Sequence, residues 1–192
     1  MGLIRNLLAL IGLAVVAACI YVFVNYGDAI GRFDPNAGKT YLQLSKDILR
    51  TGSAVDATVW KVPLEEGVSA EDAEEAMKSV ANELNISNVG ELPLSKDVEA
   101  KSGKPYRFVK VFMFCNSLTA AQMMDYSDAY SAYLPCRITL LQDNQKKFWI
   151  YSLNMDLMLY GGSPLPPALK AEALKVKSSI QEIMRRGAAG DF

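Results

Sequence analysis

A chain of 192 residues that is 51% hydrophobic and 21% charged has material for one well-buried domain and an appendage, but falls short of two ordinary domains. Its 20 basic and 21 acidic residues leave a formal net charge of -1, so no broad field of either sign exists to attract nucleic acid, and a DNA or RNA partner is excluded on that balance. There is no histidine, which removes Ser-His-Asp and Cys-His catalysis, histidine-ligated haem and imidazole-dependent zinc sites, and with them much of the usual enzyme repertoire.

From Leu7 to Val24 no charge interrupts the run LLALIGLAVVAACIYVFV, which as a helix would be about 27 Å long, close to the thickness of a bilayer core. Arg5 lies on one side and Asp28 is the first charge on the other. The positive-inside rule therefore keeps the N-terminus cytoplasmic and exports the rest, giving a single-pass protein of a bacterial inner membrane with its C-terminal domain on the periplasmic or extracellular side. A lipoprotein reading competes, because Val16-Ala17-Ala18-Cys19 places small residues before a cysteine that could be lipidated after cleavage. The apolar run continues past Cys19, which favours an uncleaved anchor. Residues 1–24 are thus assigned to the anchor, and 25–56 to a turn-rich connector followed by a short amphipathic helix over Thr40 to Arg50.

The remainder, 57–192, reads as an α+β domain. Ala57 to Leu64 is an expected strand, with Pro63 pointing to an edge or a strand end. Ser69 caps a helix whose first turns carry Glu71, Asp72, Glu74 and Glu75 and whose buried stripe is Ala73, Met77, Val80 and Leu84. Acids there complement the helix dipole, so they need no metal. Ile86 to Leu94 is an expected strand, and Ser95 to Pro105 an expected polar loop. Between Tyr106 and Leu153 lie three strand-like runs, two of the three cysteines and a dense set of aromatic residues. Period-two reading groups Val109, Val111, Met113 and Cys115 on one face of the first strand, and Cys136, Ile138 and Leu140 on one face of the second. Asp143-Asn144 marks a hairpin turn into a strand over Phe148 to Leu153. Gly161-Gly162-Ser163-Pro164 separates the sheet from a last helix, on which Leu169, Ala173, Val176, Ile180 and Ile183 form one seam.

Glu91-Leu92-Pro93-Leu94-Ser95, Phe114-Cys115-Asn116 with Ala120 and Ala121, Leu134-Pro135-Cys136-Arg137-Ile138 and Trp149 together resemble the bacterial domain of unknown function 302 family, over roughly Thr58 to Phe192. The resemblance implies a two-layer sandwich, a mainly antiparallel sheet with helices packed on one face in a TATA-binding-protein-like topology. It brings no reaction, cofactor or catalytic residue.

Cys115 and Cys136 form the candidate thiol pair. They do not make a CxxC motif, and three readings stay open: buried unpaired thiols, a structural disulfide in an oxidising compartment, or a reactive redox pair tuned by Arg137. A continuous helix from Leu118 to Tyr133 would carry the two cysteines to opposite sheet ends, whereas a break at Asp125, Ser127 or Asp128 would let the chain fold back. Met113, Met123, Met124, Met155 and Met158 surround them in sequence, which raises soft-metal binding without any repeated spacing to support it. Tyr126, Tyr130 and Tyr133 share helical spacing and could line a pocket. No catalytic residue, cofactor or metal ligand is assigned. The expected role is a membrane-anchored extracytoplasmic binding or accessory domain, possible subunit of a larger membrane complex and of undefined oligomeric state. A thiol-based redox or sulfur-transfer protein, and a small-molecule or soft-metal carrier, are the alternatives.

Overall fold

The computed structural model describes residues 2–192. α1 (Gly2–Gly31) is one unbroken helix with no buried residue, long and apolar enough to cross a membrane. It extends past the expected anchor, so the connector shrinks to 32–36. There the chain turns into α2 (Ala37–Thr51), which ends at Gly52 with φ 69°, the left-handed conformation that favours glycine. A single turn, α3 (Ala54–Ala57), leads into β1 (Val59–Pro63).

α4 (Ala70–Glu83) starts as its sequence requires. The Ser69 hydroxyl accepts from the Asp72 amide at 3.0 Å, and the Asp72 carboxylate accepts from the Ser69 amide at 3.1 Å, a reciprocal capping box. β2 (Ser87–Leu92) follows, and then α5 (Leu94–Ser102) stands where a polar loop was expected. The helix is short and mostly polar, so periodicity gives no signal. Its internal support is an Asp97–Lys101 pair at 2.7 Å, one turn apart. β3 (Val109–Cys115), α6 (Ser117–Tyr126), a 3-10 turn (Asp128–Tyr133), β4 (Cys136–Gln142), β5 (Phe148–Leu153), α7 (Asp156–Tyr160) and α8 (Pro167–Ala189) complete the chain.

The five strands form one antiparallel sheet in the order β1-β5-β4-β3-β2, which leaves β1, with its Pro63, at an edge. The hairpin between β4 and β5 is held by Asp143, whose carboxylate accepts from the amides of Gln145 and Lys147 and from the Trp149 indole at 2.8 Å. Phe112 and Phe114 of β3, Ile138 and Leu140 of β4 and Ile150 of β5 pack against Met77 and Val80 of α4 and Ile180 and Ile183 of α8. The fold is therefore α+β, a sheet with helices laid against it.

The phase of β3 differs from the expected one. Phe112 and Phe114 are fully buried, while of the expected face only Val109 is buried and Val111, Met113 and Cys115 are half-buried. Lys110 shares the core face with the two phenylalanines, which is why the alternation misleads. Its ammonium lies 5.0 Å from the Phe112 ring centroid and bridges Glu74 and Glu91, so stem and charge are both accommodated there.

Gly187 sets how closely the two long helices approach. A Cβ there would fall 2.4 Å from Cγ of Met77, so only glycine lets α8 sit against α4 at this distance.

Candidate functional site

The break in the middle of 117–133 brings the thiols to one place. Asn116 caps α6 by accepting the Thr119 amide at 3.1 Å, the helix stops at Tyr126, and Ser127 is extended. The chain folds back through the 3-10 turn into β4, antiparallel and adjacent to β3, with Phe114 opposite Cys136. Cys115, at the end of β3, and Cys136, at the start of β4, consequently stand at the same end of the sheet.

Both cysteines carry free thiols and both line one cavity of about 60 Å³. α6 contributes Thr119, Ala120 and Met123, the 3-10 turn Tyr130 and Tyr133, α7 Met158, and α8 Ala173 and Val176; Met155 and the end of β5 close it. The peptide bond before Pro135, in the segment leading into β4, is cis. On this volume measure one water occupies about 10–15 Å³, so the enclosed space holds a few heavy atoms.

The lining is mostly apolar, and two of its polar side chains are tied to backbone carbonyls. Ser152 Oγ donates to the Arg137 carbonyl at 2.9 Å, and the Tyr130 hydroxyl donates to the Met158 carbonyl at 3.3 Å. Among the described residues no buried side-chain polar atom lacks a hydrogen bond.

Cys136 is pushed up to about 11, first by burial and second by the neighbouring Cys115; Arg137 works in the opposite direction and is outweighed. The Arg137 side chain is exposed, on the other face of β4 and opposite Met113. Burial also raises the Tyr130 hydroxyl, with Tyr126 and Tyr133 adding to the effect. The rings of Tyr126, Tyr130 and Tyr133 follow one another at centroid spacings of 6.3 and 6.5 Å.

Of the five methionines near the cysteines in sequence, Met123, Met155 and Met158 reach the cavity. Met113 instead lies against Gly90, and Met124 is exposed. Ala173 and Val176 also line it, although their helical seam carried no sign of a site. Cys19 lies within α1 and is exposed, away from this cavity.

Gly161-Gly162, expected as a plain break, is a clasp. The Gly162 carbonyl accepts from the Asp34 amide at 2.8 Å, and the Gly161 carbonyl accepts from the Tyr41 hydroxyl at 2.6 Å. The buried Asp34 carboxylate pairs with Lys170 of α8. The chain leaving α1 is thereby bonded to the folded part.

No curated protein sequence matches the chain. A solved structure described as "uncharacterized conserved protein DUF302 from Bacillus stearothermophilus" matches with a TM-score of 0.55 at 15% identity, over 67% of this chain and 97% of that one; at that identity it speaks to the fold alone. The model of the family described as "Domain of unknown function DUF302" matches residues 60–187, a span that contains the whole sheet but for the first residue of β1, all of α4, α8 as far as Gly187 and every residue of the cavity, and on that match the chain belongs to the DUF302 family.

Proposed function

We propose that this protein is a membrane-tethered binding domain whose ligand is a small apolar molecule, or the apolar end of a longer one, taken into the cavity shared by Cys115 and Cys136. One observation carries the reading: the cavity is walled almost wholly by sulfur-bearing, aromatic and aliphatic side chains, with no charged group of either sign but Arg137, whose side chain lies on the other face of β4. A nucleophile is poorly served there, because a thiol held near 11 is almost wholly protonated at neutral pH. In this reading α1 is an uncleaved anchor in a bacterial inner membrane. Arg5 keeps the short N-terminus on the cytoplasmic side and the domain faces outward, available to a membrane complex.

The test uses the full chain in nanodiscs with methyl-labelled methionine, titrated with benzene. Saturable shifts are expected at Met123, Met155 and Met158, with Met113 and Met124 following only the bulk change. An Ala120→Leu variant, which fills part of the cavity, is expected to lose the saturable response. Equal, non-saturating shifts at all five methionines would refute the reading.

A second reading, carriage of a cuprous ion, has one observation in its favour: five sulfur-bearing residues, Cys115, Cys136, Met123, Met155 and Met158, line one cavity. Silver(I), a soft and redox-inert stand-in, would then shift the same methyls at one equivalent. No response to silver at one equivalent would eliminate this reading and leave the first untouched.

A further inference from the structure

α2 has two apolar sides, and the fold uses only one. Ala37, Leu44 and Ile48 turn inward, where the helix meets α3 and α7. At about 100° per residue, Leu42 and Leu49 lie about 140–160° around the helix from Leu44. They are 57% and 86% exposed, and Lys39 and Lys46 stand exposed on the same side. No part of the chain covers this face among the described residues.

Its position along the chain says what does. The apolar run ending at Val24 accounts for about 27 Å of a bilayer core of about 30 Å, so a spanning α1 clears the core near Tyr26. The remaining residues to Gly31 then add about 7 Å, which is the depth of the headgroup layer. α2 begins six residues after Gly31. It cannot swing out on a loose connector, because the Asp34 amide, the Asp34 carboxylate and the Tyr41 hydroxyl are all bonded to the segment around Gly161, Gly162 and Lys170.

We infer that the outer face of α2 rests on the bilayer that α1 crosses, with Leu42 and Leu49 at the boundary between headgroups and acyl chains and Lys39 and Lys46 among anionic phosphates. Leucines flanked by lysines on a helix held at headgroup height are the pattern such a surface takes. The inference rests on α1 spanning the membrane, as proposed above.

The experiment places a diazirine-bearing leucine analogue at position 42 or 49 of the full chain in nanodiscs containing anionic lipid. The same label at position 23, within α1, and at position 175, on an exposed part of α8, gives the two references. After illumination, lipid adducts are read by mass. Positions 42 and 49 are expected to yield at least ten times the lipid adduct of position 175 and to approach position 23. Adduct at position 23 with 42 and 49 no higher than 175 would overturn the inference while leaving the anchor standing. Failure at position 23 as well would overturn the anchor and the inference together. Crosslinks from 42 and 49 to a second copy of the chain would assign the face to self-association and overturn it too.

Discussion

Cys136 shows how one residue's surroundings settle its chemistry. Its thiol is held near 11 rather than near 9.0, so at pH 8 the thiolate fraction falls about a hundredfold below that of an ordinary cysteine. Native alkylation of Cys136 at pH 8 is therefore expected to be at least roughly a hundredfold slower than in the denatured chain. Its rate should climb with pH up to about 11, as read by mass spectrometry of the labelled peptide. The sign of the linkage follows. A raised thiol pKa means the folded state holds the proton more tightly than the unfolded chain, so this contribution to stability is complete below about 9 and lost as pH rises through about 11. Rapid labelling at neutral pH would contradict the burial argument and revive a thiol reaction.

Two features at the scale of elements set the assembly of α4. The first is the four-charge network that fastens the helix to β2 and β3. Lys110 reaches Glu91 at 2.7 Å, and Lys78 reaches Glu74 at 2.6 Å and Glu91 at 2.8 Å. Partial burial alone would push the Glu91 carboxyl up, but hydrogen bonds from Lys110, Lys78 and Asn88 outweigh it and hold the group at about 2. A depressed carboxyl stabilises the fold above its unfolded value and loses that contribution as pH falls through the folded one. Urea melts of the full chain between pH 5 and about 2 are thus expected to lose stability steeply. A Glu91→Gln variant should be weaker at pH 7 and show a flatter decline. The second feature is Gly187. Gly187→Ala gains helix propensity but overpacks against Met77, and a net loss of about 1–2 kcal/mol is expected from denaturant melts. That loss should shrink in a Met77→Ala background, where the clash is gone.

These elements also show what a sequence can carry. α4 was legible because its cap and its stripe agree, and α8 because Leu169, Ala173, Ile180 and Ile183 repeat over many turns. The phase of β3 was not, since every residue but Lys110 is apolar or cysteine, and a lysine whose stem crosses a phenylalanine counts on the wrong face. α5 is too short and polar to show a period. The meeting of Cys115 and Cys136 at one sheet end follows from the break at Ser127, to which Asp125, Ser127 and Asp128 already pointed. The cavity itself did not, because Met158, Ala173 and Val176 reach it only through tertiary packing.

For the molecule as a whole, the joint between α1 and the domain is the decisive element. Lys170, and then the amide of Asn36, hold the Asp34 carboxyl below its usual value of 3.8, so the joint should stay intact until the pH falls below that value. Asp34→Asn is expected to raise hydrogen exchange about tenfold over residues 34–44 while leaving the sheet unchanged, since local opening need not involve the core. Uniform acceleration across the sheet would show that the joint supports the whole fold. The proposed orientation has its own check. Protease added to intact spheroplasts is expected to digest the domain, and full protection until lysis would place the domain on the other side of the membrane.

With α1 across a bilayer, as proposed, the clasp at Asp34 and Gly162 would also change how the domain meets anything else in that bilayer. A domain on a loose leash presents every side in turn, and each encounter must find the right one by chance. One whose chain is bonded to the fold only a few residues past such an anchor is restricted in height and tilt before contact. Less orientational entropy is then lost on docking, and a larger share of lateral collisions is productive. A neighbour diffusing in the plane would always find the same band of the protein at the same height, and a modest contact patch there could suffice for a lasting association.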